Sequence, residues 1–258
     1  MLTAVYLSTF IAKTKPMQKM NYEDYLSAIN EWDNTVSNFA EIERLIPLPY
    51  VFELSAEQIE KLNTEDEYPK NFRLDMGILK DQVVLILVPR DSKGGLKITD
   101  YSYSVLGSLE NDIELKEVKQ YTLVNRSILS KDLTKTSTDS DMSFPILSQP
   151  AAEQQVAVKE IEDWRESGME WFQREDQDFG GKRVFRRFFI SKDDFLHDQS
   201  STTNIICSFA LKFSDIYQRV LVSLVFISFQ KNLLGGEISS DFSISNTYNY
   251  ARPCPPVC

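Results

Sequence analysis

Two thiols bracket a pair of prolines in Arg252-Pro253-Cys254-Pro255-Pro256-Val257-Cys258, the segment whose side chains offer the most chemistry. Thiolates can hold a soft metal, join as a disulfide or accept a covalent group. Proline fixes φ, so this stretch favours polyproline II at ~3.1 Å per residue. Cys254 and Cys258 then stand roughly 12 Å apart, about twice the Cα separation that a disulfide permits. An internal bridge, or one metal held by both sulfurs, requires a turn, for which a cis prolyl bond is a ready device. Left extended, Cys254, Pro255, Pro256 and Cys258 are exposed to a partner or a modifying enzyme. The plain alternative is a tail lying on the surface with its prolines packed.

Carboxylates come next. Gly94-Gly95 precedes Asp100-Tyr101-Ser102-Tyr103-Ser104, and Gly235-Gly236 precedes Asp241-Phe242-Ser243-Ile244-Ser245. An Asp after a glycine turn can supply oxygen to a hard cation, which makes Asp100 and Asp241 weak metal candidates. The commoner work of such an Asp is to bond the backbone N–H groups of its own turn. Asp75 lies in an apolar strand-like run, and Glu65-Asp66-Glu67 reads as a solvated loop. The lone histidine, His197, excludes multi-histidine zinc patterns and reads as a surface residue between Asp194 and Asp198. Cys207 sits among Ile205, Ile206 and Phe209 as a core thiol. Phosphate-binding glycine loops are absent, and Asp178-Phe179-Gly180 matches a kinase tripeptide in letters alone. Neither a catalytic set nor a cofactor is expected.

The elements that would position these residues repeat. Tyr25, Ile29, Trp32, Val36 and Phe39 make one apolar helical stripe, and Val158, Ile161 and Trp164 make another. Phe52-Glu53-Leu54-Ser55 is answered by Phe188-Phe189-Ile190-Ser191, each an apolar run ending on a helix-capping serine. Gln58 completes a capping box in the first case, and residues 192–197 are expected to form the second short helix. Two pairs of β-type runs follow: 71–79 with 82–88 across Lys80-Asp81, and 205–213 with 219–229 across 214–218. The matches recur in order at offsets of 132, 136 and 141 residues.

These matches predict an α+β fold of two diverged copies of a helix–strand–short helix–hairpin–strand unit. The sheets should be mostly antiparallel, with helices on one face. Residues 1–107 form the first repeat, with an N-terminal strand or helix over the apolar residues 1–12. Residues 108–150 are a linker with one or two strands and a polar loop over 130–143. Residues 151–248 form the second repeat, and 249–258 the Cys-Pro-Pro tail.

A net charge of −10 on 258 residues argues against nucleic acid, whose affinity comes from cations. The basic cluster Lys182, Arg183, Arg186 and Arg187 reads as a strand with one solvated face. No apolar run reaches the ~18–20 residues that span a bilayer, and Lys13 and Lys15 follow the N-terminal run rather than precede it. Cytoplasm is the default. The function these features favour is a non-catalytic interaction or self-assembly protein presenting two pseudo-equivalent surfaces to a protein partner or to itself. A carboxylate-based enzyme or small-molecule binder with its site between the repeats is the second reading. A metal-binding or covalently modified cysteine tail is the third.

Overall fold

Asn21 starts the first helix in the computed structural model, which describes residues 17–109, 122–129, 136–143, 154–192, 202–231, 243–248 and 251–255. The Asn21 side chain accepts the Asp24 N–H at 2.8 Å, and α1 (Tyr22–Thr35) buries Tyr25, Ala28 and Trp32. The stripe expected to continue through Phe39 is cut at residues 36–38. Asn38 bonds forward to Glu41 and opens a new helix, α2 (Phe39–Leu45), because a side chain that caps competes with helix continuation.

The strands follow the expected pattern. After β1 (Gln18–Met20) and β2 (Phe52–Ser55) comes α3 (Ala56–Glu65), closed by the Ser55/Gln58 capping box. Next are β3 (Asn71–Leu79), β4 (Gln82–Val88) and β5 (Tyr101–Val105). Lys80 and Asp81 both have positive φ, 50° and 63°, as a two-residue hairpin turn with right-handed strand twist demands. Arg44 holds that turn by donating to both Asp81 oxygens at 2.8 and 2.7 Å.

Within residues 108–150, β6 (Thr122–Leu129) pairs with β7 (Thr136–Ser143). Most of the stretch expected to be a polar loop is therefore a strand. The expected β6 ladder needs a partner, and the Thr-rich run just after it supplies one.

Then α4 (Gln154–Phe179) runs well past its predicted stripe. It stops where Gly180 and Gly181 take φ of 58° and 68°. A Cβ on Gly181 would lie 2.3 Å from the Val36 carbonyl oxygen, so only glycine fits. The kinase-like letters are thus a helix terminator. Finally come β8 (Arg187–Ser191), β9 (Thr202–Ser214), β10 (Arg219–Lys231), β11 (Ser243–Tyr248) and β12 (Arg252–Cys254).

All pairings are antiparallel, and the order is β1-β5-β4-β3-β8-β12 in one sheet and β11-β10-β9-β2 in the other. Each hairpin therefore takes a strand from the opposite half of the sequence. Ser55 of β2 lies opposite Asn204 of β9, and Ser191 of β8 lies opposite Asn71 of β3. The glycine-turn strands pair in a similar place: Ser102 faces Leu87 and Ser243 faces Lys231, each toward the end of its hairpin strand away from the turn.

Alternation along the strands gives each sheet two faces. Leu74, Met76, Leu85 and Leu87 of one sheet and Cys207, Phe209, Val222 and Phe226 of the other join a single core with Trp32 and Trp164. Each such side chain contributes on the order of 1.5–3 kcal/mol by burial. On the opposite faces α1 sets Tyr25 and Ala28 on Val84 and Ile86, and α4 sets Ala157 and Ile161 on Ala210, Val225 and Ile227. The architecture is α+β with antiparallel sheets, the two larger ones each covered by a helix on one face. The N-terminal apolar run (1–12), most of the short helix at 192–197 and the Gly235-Gly236 turn lie outside the described residues.

Candidate functional site

The carboxylates that looked capable of chemistry are held by cations. Asp75, 1 % exposed, accepts the Tyr25 hydroxyl at 2.8 Å and Arg73 Nε and Nη2 at 2.8 and 2.6 Å, with Arg187 Nε 3.8 Å away. Burial pushes the Tyr25 hydroxyl pKa far up, so it stays a donor. Asp66 is buried rather than solvated: it takes the backbone N–H of Tyr68 and Arg90 and the Arg90 guanidinium at 3.3 Å. Arg90 in turn bonds the Asn71 carbonyl and lies 4.4 Å over the Tyr68 ring. Glu175 accepts from Arg183 at 3.1 Å, and burial raises its carboxyl pKa while Arg183 opposes the rise.

The basic cluster is not a solvated strand face. Only Arg187 belongs to β8. Arg183 stacks on Phe179 and reaches Glu175, and Arg186 reaches Asp33 at 2.9 Å. The sequence pattern showed alternation with phenylalanine but could not show carboxylates arriving from other helices.

Asp100 is exposed and offers its backbone carbonyl to Lys61. The Gly94-Gly95 turn is bonded instead by Asp91, whose Oδ1 accepts from Lys93 and Gly95 at 2.8 Å. Those N–H groups, that of Gly95 foremost, lower its pKa. Asp241 lies outside the described residues. Among the described residues no three His, Cys, Asp or Glu side chains converge as metal ligands.

The tail enters the sheet. Arg252, Pro253 and Cys254 pair with β8, and Arg186 N–H donates to the Cys254 carbonyl at 2.7 Å. Proline has no N–H for a ladder, and an edge strand is where that lack is tolerated. Cys254 is 4 % exposed and disulfide-bonded, the Cys254–Pro255 bond is cis, and Cys207 is a free, buried thiol whose pKa burial raises. Pro256 and Cys258 lie outside the described residues.

Beside this edge strand opens a cleft of about 740 Å³ between β12, the ends of β3 and β8, and the tip of the β9–β10 hairpin. Its walls carry Phe189, Leu221 and Pro253. Over it stand Phe213, 55 % exposed, and Ile216, 86 % exposed, with Tyr217 beside them. Trp171 of α4 anchors the hairpin from behind by donating to the Val220 carbonyl at 3.1 Å. Sequence reasoning passed over this site, yet a signal was present: Ile216-Tyr217 in a hairpin loop, where strand alternation supplies no core face. Comparisons with protein-family models, with characterised proteins and with solved structures find no match to this chain.

Proposed function

We propose that this chain is a non-catalytic interaction protein that meets another protein chain through the tip of the β9–β10 hairpin. One observation carries the reading: Ile216 and Phe213 stand in solvent at 86 % and 55 % exposure on a hairpin held by Trp171, above an open cleft. Large apolar side chains grouped at a protruding tip mark interaction sites more often than scattered surface leucines do. The matched strand orders and the paired Ser–Asn registers support descent of the two halves from one ancestral unit. Their hairpin tips have diverged. Lys80-Asp81 is polar and pinned by Arg44, so the apolar contact falls to the second half.

A photo-crosslinking residue in place of Ile216 tests this, with the same probe at exposed Asn63 as control. The expected result is a heavier adduct from position 216 and none from position 63. No adduct, together with one constant monomer mass by light scattering across concentrations, refutes the reading.

A setting more oxidising than the cytoplasm is part of the same proposal, because disulfides persist where thiols are not kept reduced. Of the three cysteines, Cys254 is bonded and Cys207 is free. Denatured, unreduced protein from its native source is expected to show one reactive thiol per chain, rising to three on reduction. Three reactive thiols before reduction would return the chain to the cytoplasm.

A further inference from the structure

Three cations border the cleft: Lys70 at the start of β3, Lys212 near the end of β9 and Arg252 in β12. All three are exposed, and none has a carboxylate within 4.0 Å among the described residues, although Lys212 is near enough to Glu160 of α4 to oppose the rise that burial gives that carboxyl's pKa. Most of the chain's arginines are treated differently. Arg44, Arg73, Arg90, Arg183, Arg186 and Arg219 each have a carboxylate within 4.0 Å. On a chain with 38 acidic and 28 basic residues, three exposed cations around one opening, Lys70 and Arg252 without a nearby carboxylate among the described residues, make a local positive field inside an acidic molecule. Asp215 is the sole acidic residue of the lining among the described residues.

The rest of the lining is apolar or neutral. Phe189, Phe213, Leu221 and Pro253 offer surface to large side chains, and Asn71 and Ser214 offer hydrogen bonds. The walls run along strands. The β10–β11 ladder begins at Phe226, so Leu221 and Val222 have no strand beyond them on that side among the described residues. An extended backbone laid in the cleft meets that edge while its alternate side chains reach the apolar walls and the cations.

We infer that the cleft takes an extended acidic segment of a partner protein, in which Asp or Glu alternates with large apolar residues. The inference rests on the proposed function and names the chemistry of the partner. The acids meet Lys70, Lys212 and Arg252, and the apolar side chains meet Phe189, Phe213 and Ile216. The net charge of −10 disfavours acidic partners on the chain as a whole, so a cation-bordered opening gains selectivity from electrostatics as well as from the apolar walls.

The test is a displayed library of random peptides of about twelve residues, panned on the intact chain. Enriched peptides are then measured by fluorescence anisotropy against wild type, the Lys212→Glu/Arg252→Glu double variant and a Lys182→Glu control. Lys182 is exposed and outside the cleft lining, and all three changes leave the core untouched. The expected result is an acidic–apolar consensus whose affinity falls about tenfold or more in the double variant, weakens with added salt and is unchanged in the control. An uncharged or basic consensus, or affinity indifferent to the double variant, overturns the inference while leaving the hairpin reading intact. No enrichment, with no adduct from position 216, overturns both.

Discussion

Trp32→Ala is expected to remove about 3–5 kcal/mol of folding stability, the cost of a large aromatic deleted from a closed core. Trp32 is fully buried, packs 5.7 Å from the Phe185 ring and donates its indole N–H to the Phe185 carbonyl at 2.9 Å. The cavity and the orphaned carbonyl act together, because Phe185 lies on the connection that leads into β8. Trp164 provides the internal comparison. It is equally enclosed and stacks near Phe209 at 4.9 Å, yet its indole nitrogen has no hydrogen-bond partner. Trp32→Phe should therefore cost about 1 kcal/mol more than Trp164→Phe, the size of one buried hydrogen bond. Urea unfolding followed by circular dichroism measures both. Equal losses for the two phenylalanine variants would show that the Phe185 bond adds nothing.

Asp75→Ala is expected to cost about 3–5 kcal/mol, since it strands buried groups that now neutralise one another. The Tyr25 hydroxyl would lose its acceptor, and Arg73 would sit under α1 with no counter-charge. Arg73 and Arg187 keep 15 % and 34 % of their side-chain surface in water, which places the loss toward the lower end of that range. Asp75→Asn keeps an acceptor for Tyr25 and should lose less. A thermal melt in which Asp75→Ala matches wild type would mean that water replaces the carboxylate without penalty.

Local features were legible in the sequence because local chemistry decides them. Ser55 and Gln58 form the expected capping box, and Lys80-Asp81 turns the first hairpin. Partners across the fold were not legible. β2 and β8 are short apolar runs with no turn to fix their neighbours, so nothing in Phe52–Ser55 specifies that it pairs with β9 rather than with the nearer β3. The core decides that, by letting both hairpins share one interior.

The candidate site was partly legible. The tail stood out by its cysteines and prolines, but its role as an edge strand depends on β8 having a free side for Pro253 to face. Asp100 drew attention by following two glycines, whereas Asp91, ahead of them, was the residue placed to reach their N–H groups. The cleft itself is made by segments far apart in sequence, residues 70–71, 189–191, 212–217, 221–223 and 251–253, which no spacing rule connects.

The crossed strands also bear on how the chain is made. A ribosome releases β2 early, yet its partner β9 begins only at Thr202, and the β3–β4 hairpin must wait for β8 at Arg187. Neither sheet can be completed by a nascent chain that has produced only its first half. The Phe72–Ile78 side of β3 then lacks its second-half neighbours, among them Trp164, Phe172, Phe188 and Phe209, for most of synthesis, and contacts this distant in sequence form slowly. A chaperone that shields apolar strands would meet this protein early, and a fragment ending near residue 150 would have no stable state to reach.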